Sequence, residues 1–248
     1  MPVYKAEAIV IRRANLGEAD RLVTLFARDQ GKISAVAKGA RKPKSRFVGR
    51  LELFTHLRVL LAVGRTLDVV SQVEVVEPFA ALREDLSRIG YASFVVEVVD
   101  RSTADREPSP EVFRTLRIAL DLIRDGDGDL AAMWFTARLL VLSGHGPVLG
   151  RCVVCGARMS GAAAFSHALG GALCEADRHR DPHAVIMSAA TANAIGFLLQ
   201  ATPAALPRLS LDGRVRGEVG GLLQRYVEYR METKLRSPLV IARLARME

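Results

Sequence analysis

Three cysteines are the residues of this chain whose type and spacing best suit metal chemistry. Cys152 and Cys155 form a CxxC pair that Gly156 follows at once, and Cys174 comes after eighteen intervening residues. A CxxC turn points two thiolates at one ion, and a second arm roughly 15 to 20 residues later completes a tetrahedral structural zinc site. The spacing therefore predicts one structural zinc in a knuckle-like segment at residues 150–183.

The fourth ligand is open between two residues. The spacing of a second CxxC would place Asp177 there, whereas His179, two residues later, is chemically the better zinc ligand. One alternative is a zinc-free knuckle held by packing, and the others are a catalytic zinc whose open position activates water or a redox-active CxxC. The other histidines are scattered and form no acid–base group with the cysteines: His56, His145, His167 and His183.

A second candidate site is the basic run Gly31–Arg50, which contains no carboxylate. Gly39 and Pro43 prevent it from continuing as a helix. A self-repelling cluster of cations on a strand-loop-strand frame suits a polyanion, although a solvated loop that aids solubility is the simpler alternative. Its cations are Lys32, Lys38, Arg41, Lys42, Lys44, Arg46 and Arg50.

The distribution of charge favours the polyanion. The net charge is +8, and the first 50 residues hold twelve Lys or Arg against four Asp or Glu. The other residues therefore carry 23 basic and 23 acidic side chains, which cancel. A surplus of positive charge that served solubility alone would be spread along the chain. Its location in the first 50 residues therefore indicates a nucleic-acid partner.

The elements around the basic run read as a small barrel. Five segments alternate or are rich in β-branched residues, and short turns join them. Five strands in under 80 residues fit an OB-fold barrel, a common carrier of single-stranded nucleic acid, with an SH3-like barrel or a plain antiparallel sheet as alternatives. The predicted strands are Tyr4–Arg13, Arg21–Ala27, Lys32–Lys38, Leu53–Val63 and Leu67–Val76.

Helical periodicity replaces strand alternation after residue 79. We therefore predict an α+β protein: an OB-fold β-barrel at residues 1–79, then an all-α domain at 80–248 into which the zinc-knuckle-like segment is inserted. Ser237 and Pro238 are expected to stop the last helix and leave a short tail. The predicted helices are 80–103, 111–124, 130–143, 188–200 and about 213–235.

Several classes of protein are not expected. The chain has no Walker A sequence, no G-x-S-x-G elbow and no HExxH motif, so we predict no enzyme and no catalytic residues. It also lacks an apolar run of the roughly 20 residues that span a bilayer, and its N-terminus does not have the pattern of a signal peptide. Three cysteines do not make a disulfide framework, which predicts a reduced, cytoplasmic protein.

The order of these parts resembles the bacterial recombination mediator family RecO, nearly from end to end. The most specific match is GEADRLVTLFARDQGKISAVAKGARKPKSRF at Gly17–Phe47, after a strand that carries IVIRR. The EPF sequence at Glu77–Phe79, the RCxxCG segment and the RYVEYR helix agree in position but are less diagnostic. The departure is Asp177, where many members have a fourth cysteine, and some members lack the cysteines altogether.

The resemblance implies a DNA-binding mediator of recombinational repair. It implies an OB domain that binds single- and double-stranded DNA, anneals complementary strands and, with RecR, helps to load RecA on DNA covered by single-strand-binding protein (SSB). It also implies that the C-terminal tail of SSB docks on the helical domain, and that the protein is cytoplasmic and nucleoid-associated. The matching residues predicted to bind DNA are Arg12, Arg13, Arg21, Lys32, Lys38, Arg41, Lys42, Lys44 and Arg46.

Two other functions are carried as alternatives. An RNA-binding OB-fold protein would share the basic run but not the helical domain with its inserted knuckle. A zinc-dependent hydrolase of nucleic acid would need the metal for turnover rather than for folding. The sequence does not decide whether RecF takes part, nor where RecR or SSB would bind.

Overall fold

The N-terminal part of the chain forms a closed five-stranded barrel in the computed structural model, which describes residues 2–159 and 163–244. The strand order around the barrel is β1-β2-β3-β5-β4, and β4 closes it by pairing antiparallel with β1. This is the arrangement of the OB fold that the sequence predicts, so that prediction is confirmed. The strands are β1 (Val3–Leu16), β2 (Asp20–Ala27), β3 (Gly31–Ala37), β4 (His56–Ala62) and β5 (Asp68–Glu77).

Period-two alternation explains how these strands build the barrel core. Along β3 the burial alternates strictly, and Ile33, Ala35 and Ala37 point inward. A bulge between Val10 and Arg12 shifts the pleat of β1 by one residue. After the bulge the inward-facing position is Arg13, which lies opposite the core residue Val23 at one end of the barrel.

The rest of the chain is mainly helical, as the sequence predicts. A small sheet of strand order β7-β6-β8 lies between residues 163 and 187, so it extends beyond residue 183, the predicted end of the knuckle-like segment. Two short 3-10 helices occupy Arg178–Arg180 and Pro203–Arg208. The helices are α1 (Ala81–Glu84), α2 (Leu86–Ser102), α3 (Pro110–Asp125), α4 (Gly128–Leu142), α5 (Ala189–Gln200), α6 (Gly213–Arg230) and α7 (Ser237–Leu244), and the further strands are β6 (Ala163–Ser166), β7 (Gly171–Leu173) and β8 (Val185–Met187).

The C-terminal prediction was wrong in two respects. Helix α6 ends at Arg230, and Glu232 follows with a φ of +48°. Ser237 and Pro238 then begin α7 rather than a tail. The reason is a tertiary cap: the Glu97 carboxylate in α2 accepts the backbone N–H groups of Arg236 and Ser237 at 2.9 and 2.8 Å, which satisfies donors that a helix start leaves open.

Two compact units make up the chain. One contains the residues up to Gly128 together with those from Arg236 onward, and the other is Asp129–Leu235. The first unit thus holds the barrel with α1, α2, α3 and α7. The domain boundary at residue 79 stays a prediction. None of the helices in the described part of the chain has the length and apolar composition that a membrane span requires.

A buried carboxylate ties the barrel to the segment between α2 and α3. Asp68, only 2% exposed, accepts the Arg106 guanidinium at 2.6 Å and the Tyr4 hydroxyl. The segment also runs beside β3, where the backbone N–H of Arg106 donates to Lys32 O at 3.0 Å. A Cβ on Gly31 would lie 2.2 Å from Glu107 O, so only glycine allows this close approach.

Asp68 should therefore make stability depend on acidity. Burial alone would raise its pKa, but hydrogen bonds from Tyr4 and Arg106 outweigh burial and lower it. A lowered folded-state pKa contributes stability that is fully present above the unfolded value of about 3.9 and is lost as the pH falls from there through the lower folded-state pKa. Because Arg106 is half exposed, we expect Asp68→Asn to cost about 2 kcal/mol at neutral pH.

Urea denaturation of the wild type and Asp68→Asn, from about pH 7 down to about pH 3, measures this effect. The difference in unfolding free energy should shrink as the pH falls below about 4. A difference that stays constant over that range would contradict the role given to the Asp68 carboxylate.

Candidate nucleic-acid interface and metal centre

The basic loop, residues 38–55 between β3 and β4, is anchored at the end of the barrel. Phe47 and Leu51 are 4% and 0% exposed and belong to the barrel core. Between them and β3, short turns follow one another: Lys42 N donates to Gly39 O at 3.1 Å, and Ser45 N to Lys42 O at 2.9 Å. The loop is a pinned series of turns and not an extended arm.

The hairpin between β1 and β2 fixes the start of the loop. The Asp20 carboxylate accepts the backbone N–H of Gly39 at 2.8 Å, where the chain takes a φ of +67°. Arg41 completes the junction through its backbone N–H to Ala19 O at 2.9 Å and its guanidinium to Gly17 O at 2.8 Å. The cations that follow are therefore presented on a fixed base.

Five predicted DNA-binding cations come together on this loop. All five side chains are exposed, and none has a carboxylate within ion-pair distance among the residues that the structure describes. The Arg46 guanidinium lies 5.0 Å from the centre of the Phe47 ring, which supports it from below. The five are Lys38, Arg41, Lys42, Lys44 and Arg46.

Two further predicted cations lie at the same end of the barrel but are already paired. Arg13 and Arg21 both bind the carboxylate of Glu52, Arg21 at 3.0 Å, and the Arg13 and Arg21 side chains are 35% and 19% exposed. Glu52 was not predicted from the sequence. Its signal was available, because Glu52 is the only acidic residue between Asp29 and Asp68.

The last two predicted cations lie on the outer face of the barrel. Arg12 contacts Asp100 of α2 at 3.3 Å, and Lys32 donates to the backbone oxygen of Asp100 at 2.7 Å. Lys32 is only 14% exposed and also lies 3.5 Å from Asp105. These contacts favour a structural role in holding α2 on the barrel, and the structure does not bring Arg12 and Lys32 together with the basic loop.

The three cysteines and Asp177 converge on one point in the second unit. Their ligand atoms all lie within 4.8 Å of one another. Asp177 Oδ2 lies 3.2 Å from the sulfurs of both Cys152 and Cys174, and the sulfurs of Cys155 and Cys174 are 3.7 Å apart. Gly156, at a φ of +76°, lets the CxxC chain turn so that its N–H reaches Cys152 O at 3.0 Å.

His179 does not join the cluster. Its Nδ1 atom is 2.8 Å from Ala176 O, and the ring is exposed. The short helix Arg178–Arg180 carries His179 away, whereas the preceding turn, with Asp177 N bonded to Cys174 O at 3.1 Å, directs Asp177 inward. Of the two fourth ligands that the sequence left open, the structure places Asp177 with the cysteines.

The donor set fits a zinc ion. Burial opposes ionisation of the Cys152 thiol, but backbone N–H groups of Cys155 and Cys174 donate to its sulfur and leave its pKa lowered. Hydrogen bonds from Cys155 and then Cys174 lower the pKa of the Asp177 carboxyl. Thiolates and a carboxylate in tetrahedral number are the ligands that a structural zinc takes, so the four residues could hold one.

Comparison with known proteins gives one consistent result. The family model "Recombination protein O N terminal" matches residues 1–79, and "Recombination protein O C terminal" matches residues 83–239. A protein of Pelotomaculum thermopropionicum named DNA repair protein RecO is 40% identical over 96% of this chain and 93% of its own length. Proteins of the same name from Desulforudis audaxviator and Symbiobacterium thermophilum are 38% and 36% identical, again over 96% of this chain.

The metal centre gives a direct prediction. We expect the purified protein to contain about one zinc, because three thiols and a carboxylate converge within bonding reach of one ion. Cys174→Ser and Asp177→Asn should each lower the zinc content by removing a ligand. His179→Ala is the matched control and should keep the metal, since His179 lies outside the cluster.

Elemental analysis of freshly purified protein, with Co²⁺ absorption spectra of the same variants, measures this. Loss of metal from His179→Ala together with retention by Asp177→Asn would reverse the ligand assignment. Freshly purified wild-type protein without bound metal would contradict the assignment of the cluster as a zinc site.

Proposed function

The chain belongs to the recombination protein O family, and from that premise we propose that it is a DNA-binding mediator of recombinational repair. Membership supports a role in DNA repair and recombination. The finer activity is inferred from the basic loop and from the family resemblance. Of the nine predicted DNA-binding residues, the five on the basic loop carry this proposal, and the proposed partners are part of it.

The observation that carries the proposal is the set of five exposed, unpaired cations on a pinned loop. Repulsion among them is not relieved by any carboxylate of the described residues, and phosphate groups would relieve it. Because Phe47 and Leu51 already hold the loop, binding DNA would order little additional chain. The basic loop is therefore suited to phosphate without a large entropic cost.

The aromatic residues of the barrel argue against binding by base stacking. Phe26, Phe47, Phe54 and Phe79 are all buried, and the Tyr4 hydroxyl is bound to Asp68 and Arg106. Proteins that grip single strands by stacking expose such rings along a groove. Contacts here would go to phosphate, which positions DNA without reading its sequence.

Phosphate contacts also suit strand annealing. Cations that screen one backbone lower its repulsion for a second strand, while the base edges stay free to pair. We place RecR, the C-terminal tail of SSB and RecA loading in this scheme on the family resemblance alone. The same applies to a cytoplasmic, nucleoid-associated location and to a role without catalysis.

Domain roles follow from the same proposal. The barrel at residues 1–79 would carry DNA binding, and the helical part at 80–248 would carry protein contacts. Zinc held by the cysteine cluster would be structural: it would fix the turns at residues 152–156 and 174–177 relative to each other. No catalytic step is assigned to it.

Removing loop cations should weaken DNA binding for every sequence. We expect Lys42→Gln, Lys44→Gln and Arg46→Gln together to reduce affinity for a thymidine oligonucleotide by at least about tenfold at low salt. With about five phosphates neutralised, log affinity should fall with log salt at a slope near −3.5 in the wild type. The triple variant should lose about 2 units of that slope.

A matched control removes the same charge from elsewhere in the first unit. Lys5→Gln, Arg65→Gln and Arg114→Gln change exposed cations that have no carboxylate partner among the described residues. This variant should keep the wild-type slope. Fluorescence anisotropy over a salt series measures DNA binding, and annealing of complementary strands with SSB present measures the activity. Equal losses of affinity in both triple variants would contradict the assignment of DNA binding to the basic loop.

A further inference from the structure

Glu52 is a carboxylate that lies among the cations of the proposed DNA-binding surface. It binds the guanidinium groups of Arg13 and Arg21, both at the loop end of the barrel. Phosphate and carboxylate oxygens satisfy an arginine fork in the same way. The carboxylate of Glu52 therefore occupies, in the protein without DNA, the donors that a phosphate would use.

The backbone holds Glu52 in place on both sides. Leu51 before it is fully buried in the barrel core, and Glu52 O accepts the backbone N–H of Thr55 at 3.2 Å. After it, Leu53 O accepts the Arg83 guanidinium at 2.7 Å, and Phe54 takes a φ of +72°. These contacts fix the backbone of Glu52 beside the two arginines, and an arginine that turns to a phosphate must give up its bond to the Glu52 carboxylate.

We infer that Glu52 is an internal competitor for phosphate, which keeps Arg13 and Arg21 from contributing to DNA affinity. This inference rests on the proposed DNA-binding function. Glu52 acts through the two arginines and does not itself touch DNA, so it is a positioning residue. An arginine that leaves Glu52 for a phosphate replaces one partly exposed ion pair by another, so it adds little to the free energy of DNA binding. A loop cation without a carboxylate partner forms a new ion pair and adds more.

The consequence is a limited affinity for DNA, which favours its dissociation from the protein. A mediator must hold a strand while it pairs and then let it go. If Arg13 and Arg21 are occupied internally, the number of counterions that binding displaces is set by the cations of the basic loop that have no carboxylate partner. Affinity and salt dependence are then both lower than the local count of cations would give.

Glu52→Gln tests the inference because it removes the charge but keeps the shape and one acceptor oxygen. We expect affinity for a thymidine oligonucleotide to rise about tenfold at low salt, and the salt slope to steepen by about 1.4, as two arginines become available. Glu74→Gln is the control: it removes a carboxylate from another exposed pair, with Arg58 at 3.1 Å, and adds the same net charge. It should leave both quantities unchanged.

A triple variant keeps the inference testable if Glu52→Gln fails to fold. Replacing Arg13, Arg21 and Glu52 together by glutamine leaves no uncompensated charge. If the arginines are silent in the wild type, this variant keeps the wild-type salt slope. If they contact phosphates, the slope becomes shallower by about 1.4 and the inference fails.

The outcomes separate this inference from the proposed function. Wild-type binding with unchanged or weakened affinity in Glu52→Gln overturns the role of Glu52 and leaves DNA binding in place. Tighter binding in Glu74→Gln to the same extent also overturns it, because the effect would then follow net charge and not position. A wild-type protein that binds no DNA at low salt overturns the proposed function and this inference with it.

Discussion

The packing of Phe47 and Leu51 into the end of the barrel is the interaction on which the proposed DNA-binding surface depends. A loop that carries six cations without a carboxylate partner among the described residues repels itself, and without an anchor it would extend into solvent and keep its charges apart. The Phe47 and Leu51 side chains pack into the barrel core and hold the loop against the barrel. The hairpin residue Asp20 fixes the loop's start at Gly39, so the cations are held close together before any polyanion arrives.

The other four predicted DNA-binding cations of the barrel are bound by two carboxylates, one on the outer face and one at the loop end. Asp100 binds Arg12 and Lys32 on the outer face, where α2 covers the strands. Glu52 binds Arg13 and Arg21 at the loop end. Strand alternation turns the neighbouring Arg12 and Arg13 to opposite faces, and the bulge in β1 decides which of the two faces which side. The surplus charge that composition locates in the first 50 residues is thus only partly available to a ligand.

Sequence patterns predicted the barrel because alternation in β3 and the turn residues between strands are local signals. The same holds for the CxxC turn, whose spacing is sufficient to predict a metal site. The pairing of Arg13 with Glu52 was not predicted, because it depends on a bulge and on a contact across 39 positions of sequence. Helix α7 was missed for a similar reason: its start is capped by Glu97, which is 140 residues away from Ser237. Asp177 displaces His179 as the fourth member of the cluster because a short 3-10 helix begins between them.

Chemical footprinting of lysines tests the central claim most directly, because the basic loop carries three exposed lysines and the protein has others far from it in sequence. Acetylation of each lysine would be compared in the wild-type protein with and without a saturating thymidine oligonucleotide. We expect strong protection of Lys38, Lys42 and Lys44, with Lys5 and Lys234 labelled as in the free protein. Protection that is equal at all five positions, or absent from the three loop lysines while DNA is bound, would contradict it.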